Sequence, residues 1–257
     1  MPEGPLRGVE AELAAVTDRI GLGSLPSDGK LSRSAHSLRV VHALREAIVS
    51  GAMGAGAPLV ETAIARTLGV SRGPVRTALH ELHAQGLVEI TPTGRSSVVG
   101  FDHPRLLDLL SVRWQLESQA VRWGRERHHS REDVTAAYAA IEAVGGVSGE
   151  ELAELDMAFH RALMAFSGSR ALMSAWGALA PVVTTVLVVA NRRTQLSVDQ
   201  LNVLVRDMHR PLIKALLSAD ADELARLLQR QFENTDYLRQ VRPDVATLTP
   251  QLRAPNL

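Results

Sequence analysis

Leu68-Gly-Val-Ser-Arg-Gly-Pro-Val-Arg-Thr-Ala-Leu79 decides how this chain is read. The stretch places Ser71, Arg72 and Arg76 at the start of a short helix, just after a glycine turn. Arg72 and Arg76 are four residues apart and share one helix face. Val75, Leu79 and Leu82 fall on a different face, suited to packing against a preceding helix. Ser71 stands where a side chain caps the helix. A helix with a basic N-terminal face and an apolar back is what a DNA major groove accepts. Each arginine can offer two donors to guanine O6 and N7 or clamp a phosphate, and a helix N-terminus itself attracts phosphate.

The flanking sequence completes the unit. Residues 38–49 predict a helix with Val41, Leu44, Ile48 and Val49 apolar, ended by Gly51, Gly54 and Gly56 and closed by Pro58. Residues 60–68 predict a second helix that Gly69 stops, and residues 72–85 a third that ends at Gly86. Leu87–Ile90 and Ser97–Val99 are short β-prone runs joined by the turn residues Thr91-Pro-Thr-Gly-Arg95. Three helices and a hairpin over 34–101 make a winged helix-turn-helix. At the wing tip, Gly94 lets the backbone approach a minor groove, with Arg95 beside it.

Beyond Pro104 every pattern is helical, with candidates at 104–127, 131–144, 149–167, 170–191, 197–218 and 221–239. The expected fold is therefore mainly α, with an N-terminal winged helix-turn-helix and a C-terminal antiparallel helical bundle over 102–240. Residues 1–33 read as a flexible tail, although Val9, Leu13, Val16 and Ile20 have the spacing of a short amphipathic helix. Residues 241–257, with Pro243, Pro250 and Pro255, read as a second tail. Ala171 to Ala190 carries no charge and is long enough to span a bilayer. It stands alone and holds Ser174, Gly177, Pro181, Thr184 and Thr185, which favours a core helix buried all round and kinked or broken at Pro181. No membrane partner is expected.

Composition narrows the class. There is no cysteine, hence no disulfide framework and no thiolate metal site. The N-terminus lacks the order of a secretory signal, so a cytoplasmic location is expected. Lys plus Arg and Asp plus Glu balance at 28 each, which argues against a generic polycation. Residues 38–100 nevertheless hold six arginines against four glutamates, +2, so local arrangement must supply the phosphate attraction.

The residues resemble the GntR family of bacterial transcription regulators. The matching pattern is Leu44-Arg45, Ile48, Gly51, Gly56, Leu59, Glu61, Ala65, Gly69-Val-Ser-Arg72, Pro74-Val-Arg76, Leu79, Leu82 and Gly86-Leu-Val88. The chain departs from the usual pattern at Gly73, where Thr is common, at Thr77, where Glu is common, and in the order Gly94-Arg95 at the wing. The helical remainder is similar to the FCD effector domain of the FadR-like branch, at the shorter VanR-type length. Arg113-x3-Glu117, Asp156-x3-His160 and His209-x10-Asp220 carry that likeness.

The resemblance implies a homodimer that binds an inverted-repeat operator in double-stranded DNA and answers to a small-molecule effector, most often an organic acid. It implies that Arg113 meets an effector carboxylate; the competing reading is an Arg113–Glu117 ion pair within one helix. It also implies a divalent-metal site (Zn2+, Ni2+ or Mn2+) with Asp156, His160 and His209 as ligands. The family's fourth ligand, a histidine, falls at Gln231, a much poorer ligand. Three readings stay open: a weakened metal site, a metal-free polar pocket around Asp156, His160, His209 and Gln231, or a structural Asp–His pair. Val182, Val183, Thr184, Val186 and Leu187 suggest an apolar pocket lining.

An enzyme is not expected. A metal hydrolase built on Asp156, His160 and His209 has no identifiable general base and leaves the winged helix unexplained. An aminotransferase fusion is excluded by the short, strandless C-terminal part. A DNA-binding protein with a dead effector pocket is the third reading. The expected function is a ligand-responsive repressor.

Overall fold

A computed structural model describes residues 5–19, 33–218 and 221–233. Among these it has ten helices and one two-stranded sheet. In chain order they are α1 (Pro5–Arg19), α2 (Arg33–Val49), α3 (Glu61–Leu68), α4 (Arg72–Ala84), β1 (Val88–Ile90), β2 (Ser96–Val98), α5 (His103–Glu126), α6 (Glu132–Ala143), α7 (Gly149–Ala165), α8 (Arg170–Arg193), α9 (Val198–Ser218) and α10 (Ala221–Glu233).

The winged helix forms where the punctuation of the sequence requires it. Gly69 ends α3 in the left-handed conformation (φ 64°), which glycine adopts without a Cβ clash, and its N–H reaches back to the carbonyls of the last turn. β1 and β2 are antiparallel, with Val88 opposite Val98 and Ile90 opposite Ser96. Gly94 takes φ 78° in the turn between them, where Gly94 N–H donates to the Thr91 carbonyl and Thr91 N–H to that of Arg95. Pro58 bridges to Ser97 on the outer side of β2.

The first 33 residues are not all a tail. α1 buries Val9, Leu13 and Val16 against α2 and α3, and Glu10 pairs with Arg66 of α3. The apolar spacing is that of an amphipathic helix, and leaving those three side chains in water would forfeit about 1.5–3 kcal/mol each. Ile20, residues 234–240 and the expected tail over 241–257 lie outside the described residues.

The C-terminal helices follow the predicted boundaries within two residues over 103–218. α5, α6, α7, α9 and α10 share one core around Val121, Phe159, Leu163, Leu212 and Leu228. α8 runs through Pro181 as one helix, so of the kink or break expected there the break does not occur, and it is not buried all round. In its first half Ser174, Ala175, Gly177 and Ala178 face outward. Length and composition alone would let α8 cross a membrane. Here Trp176 and Val183 pack with Met157 and Met164 of α7, whereas Val182, Val186, Val189 and Ala190 enter the winged-helix core. One helix thus serves two cores. Val182 and Val186 therefore do not line a pocket in the bundle, as the sequence suggested.

Two polar contacts fix this joint. Arg192 at the end of α8 donates to buried Glu46 of α2 at 2.6 Å, and Arg193 donates to the Ser50 carbonyl at 2.9 Å. Arg105 of α5 ties the other side, donating to the carbonyls of Gly86 and Gly100 at 3.1 and 3.0 Å.

Candidate functional site

Two groups of residues carry chemistry. The first is the face of α4. Ser71, Arg72, Gly73, Arg76 and Thr77 are all exposed, while Pro74, Val75, Ala78, Leu79 and Leu82 are buried beneath them. Arg45 of α2 holds α4 in place from behind, donating to Gln85 at 3.0 Å and to Glu81 at 3.4 Å. Ser71 occupies the N-cap position, but its hydroxyl makes no cap hydrogen bond, contrary to the expectation. Pro74, the third residue of α4, has no N–H to give, and the hydroxyl does not take up the N–H of Gly73, the other amide within a cap's reach. The hydroxyl and the first amides of α4 stay available to an anion.

Glu61, at the first turn of α3, organises this face, a role the sequence did not reveal. Arg76 donates to it twice, Nε to Oε1 at 2.9 Å and Nη2 to Oε2 at 3.0 Å, and Arg72 donates through Nη2 to Oε2 at 3.1 Å. The Arg76 hydrogen bonds, with those of Arg72, hold the Glu61 carboxyl below its ordinary range. The pairing uses the Nε side of the Arg76 guanidinium. Its far edge, with Nη1 and the second proton of Nη2, keeps the two-donor fork that matches guanine O6 and N7. Gly94 and Arg95 sit exposed at the wing tip.

The second group is buried in the bundle. Arg113 and Glu117 come from α5, Asp156 and His160 from α7, and His209 from α9. All five are buried, and Glu117 and His209 are 0 % exposed. His209 Nε2 lies 3.2 Å from Asp156 Oδ1 and 3.3 Å from His160 Nε2. One ligand atom from each of Asp156, His160 and His209 falls within 4.8 Å of the others.

The outer ring nitrogens settle what these atoms offer. His209 Nδ1 is 2.8 Å from the Val205 carbonyl, and His160 Nδ1 is 2.9 Å from Glu117 Oε2. Both partners only accept, so each Nδ1 carries a proton and donates it. Both Nε2 atoms face the same point as the Asp156 carboxylate; a cation there would displace the proton that His209 Nε2 shares with Asp156 Oδ1 and take the lone pairs of both rings. Burial, then the Arg113 charge, pushes the His160 pKa down and keeps that ring neutral. Burial alone would raise the Asp156 carboxyl, but His209, His160 and Arg113 hold it well below the ordinary range. Glu117 behaves alike: burial raises it, and His160 and Arg113 more than offset that. Asp156 Oδ2 is buried and accepts no hydrogen bond. Three electron-rich atoms facing one point, with an unsatisfied carboxylate oxygen, fit a divalent cation.

Arg113 donates through Nε to Glu117 at 2.8 Å, so the ion pair within α5 exists, and it is buried. The guanidinium also lies 3.8 Å from Asp156 Oδ2 and over the Trp176 ring of α8. Gln231 on α10 donates to the Met208 carbonyl at 2.9 Å, which places it against α9 next to His209. Glu117, the residue that orients His160, was legible only as half of an Arg-x3-Glu pattern.

The family described as bacterial regulatory proteins of the gntR family matches residues 36–99, and the FCD domain matches residues 108–234. Among similar proteins is the "Probable D-xylose utilization operon transcriptional repressor" of Paenarthrobacter nicotinovorans, 29% identical over 75% of this chain and 84% of the relative. The gluconate operon transcriptional repressor of Bacillus licheniformis is 25% identical over 79% of this chain and 85% of its own. Solved structures with the same fold include Escherichia coli McbR/YncC (21% identity, 80% of this chain and 97% of that one, TM-score 0.54). A GntR regulator from Rhodococcus sp. RHA1 is a second (22%, 80% and 97%, TM-score 0.55). With the matched regions, the helix-turn-helix and the bundle in agreement, this chain belongs to the GntR family of bacterial transcription regulators and carries an FCD domain as its C-terminal part.

Proposed function

We propose that this protein is a cytoplasmic, homodimeric repressor that leaves an inverted-repeat operator when a small organic acid enters the C-terminal domain. One observation carries the DNA half: Arg72 and Arg76 stand exposed at the N-terminal end of α4, oriented by one carboxylate, on a helix whose other face is core. A two-fold dimer presents two such helices to two half-sites.

The buried cluster supports the effector half. Asp156, His160 and His209 would hold a divalent ion, Zn2+, Ni2+ or Mn2+, and Gln231 weakens the set relative to a fourth imidazole. A bound ion supplies a Lewis-acidic centre to which a carboxylate can coordinate. Arg113 adds fixed positive charge beside it. The likeness to repressors of gluconate and xylose operons makes sugar acids the first compounds to try. With Asp156, His160 and His209 holding the ion and Glu117 engaged by Arg113 and His160, the cluster would keep no carboxylate or imidazole for use as a general base toward a substrate.

α8 is the natural route between the halves. Its Trp176 stacks with Arg113 at the cluster, and its Arg192 grips α2, which in turn holds α4 through Arg45. A shift of α8 therefore moves the winged helix as a body. Misplacing one half-site in a dimer removes bivalent engagement without changing any single contact. The experiment is operator binding on a duplex selected from a random library, with Zn2+ and a panel of sugar acids added in turn. Selection of an inverted repeat, released by one of the acids, is the expected result; affinity indifferent to every acid and metal would leave a constitutive DNA binder.

A further inference from the structure

Gly73 is the second residue of α4 and is exposed. A Cβ built on it meets nothing within 4 Å, and its backbone is not in the left-handed region. The fold therefore has no use for glycine here, and glycine within a helix is less stable than alanine. One turn later, Thr77 is exposed on the same face. Its hydroxyl donates back to the Gly73 carbonyl at 3.3 Å. With the hydroxyl turned to the helix, the group Thr77 presents outward is its γ-methyl. Arg72 and Arg76 each immediately precede one of these residues. The exposed face thus offers two guanidinium forks and, beside them, a methyl next to open space that a side chain at position 73 would occupy.

The one apolar landmark in the major groove is the thymine C5-methyl. We propose that Thr77 and Gly73 read a thymine in each half-site: the Thr77 methyl packs on the base's C5-methyl, and the space over Gly73 admits it. The inference rests on the DNA-binding reading of α4 and makes both residues specificity determinants, next to the guanine-reading arginines. A Thr77 hydroxyl spent on phosphate would predict no sensitivity to the base methyl.

The test uses the full-length protein and a duplex it selects from a random library. Each thymine is replaced singly by deoxyuridine, which lacks only the methyl. One position per half-site is expected to lose about four-fold in affinity, the factor for burial of one methyl group. Thr77→Ser should abolish that difference and Thr77→Val should preserve it. Gly73→Ala should leave the melting temperature unchanged or higher and weaken operator binding at least as much as the thymine replacement does. Equal affinity for thymine and uracil at every position, or a difference that survives Thr77→Ser, overturns the thymine contact. Undiminished binding by Gly73→Ala overturns the role of the open space over Gly73. Failure to select any sequence at all would instead contradict the DNA-binding reading beneath it.

Discussion

Glu61 and Arg76 are joined by two parallel hydrogen bonds, at 2.9 and 3.0 Å, that link the first helix of the helix-turn-helix to the second. The same carboxylate takes Arg72. The pairing leaves the outer fork of Arg76 directed away from α3, which is the orientation a base contact needs.

Glu61→Gln should therefore weaken operator binding by about ten-fold, since two long side chains must then be ordered on binding at roughly 0.5–1.5 kcal/mol each. Thermal stability should change little, because ion pairs this exposed contribute little to folding. Electrophoretic mobility shifts and melting curves of the same variant check both halves. An unchanged affinity would remove Glu61 from the interface.

Leu13 is 0 % exposed in the core shared by α1, α2 and α3. Leu13→Ala should cost about 3 kcal/mol of stability, the usual cost of such a truncation in a packed core. Chemical denaturation measures it. A cost near zero would restore the reading of residues 1–33 as a tail.

Acid should destabilise the bundle in two stages, measured as melting temperature against pH in the presence of a chelator. His160 has a folded pKa below its ordinary 6.5, so the unfolded chain binds the proton first and stability falls as pH drops through 6.5. Asp156 and Glu117 have folded pKa values below the ordinary carboxylate range. Their contribution is present above about pH 4 and is lost as pH falls further. His160→Gln should flatten the first stage and shrink the second, because His160 also helps to hold Glu117 and Asp156 ionised. A melting temperature constant from pH 7 to pH 5 would mean that His160 is not buried neutral.

Gln231 lies beside His209 through its bond to the Met208 carbonyl. Gln231→His should raise Zn2+ affinity about ten-fold or more, as imidazole replaces a weak amide donor. Equilibrium dialysis against Zn2+ reads this directly. Unchanged affinity would show that position 231 does not reach the ion.

The sequence made most of the fold legible because its signals are local. Glycines at 69 and 86 end helices, Gly94 turns the hairpin, and the arginine spacing over 72–76 marks a face. What it hid is non-local. The clamp by Glu61 closes over 15 residues, and the bond from His160 to Glu117 spans 43, so neither follows from periodicity. Ser71 misled for a different reason: Pro74 removes one of the two amides that an N-cap side chain can take, and the hydroxyl does not take the other, that of Gly73. α8 misled because uniform apolarity says that a helix is buried without saying in which core. Its valines at 182 and 183 belong to different ones.

The most direct test of the central claim is the affinity of Arg72→Ala and Arg76→Ala for the selected operator, alongside oligomeric state and melting temperature. Each variant should remain a folded dimer and lose specific binding, keeping only weak, salt-sensitive attachment to any DNA. Wild-type affinity in either variant would contradict the assignment of α4 as the helix that reads the groove.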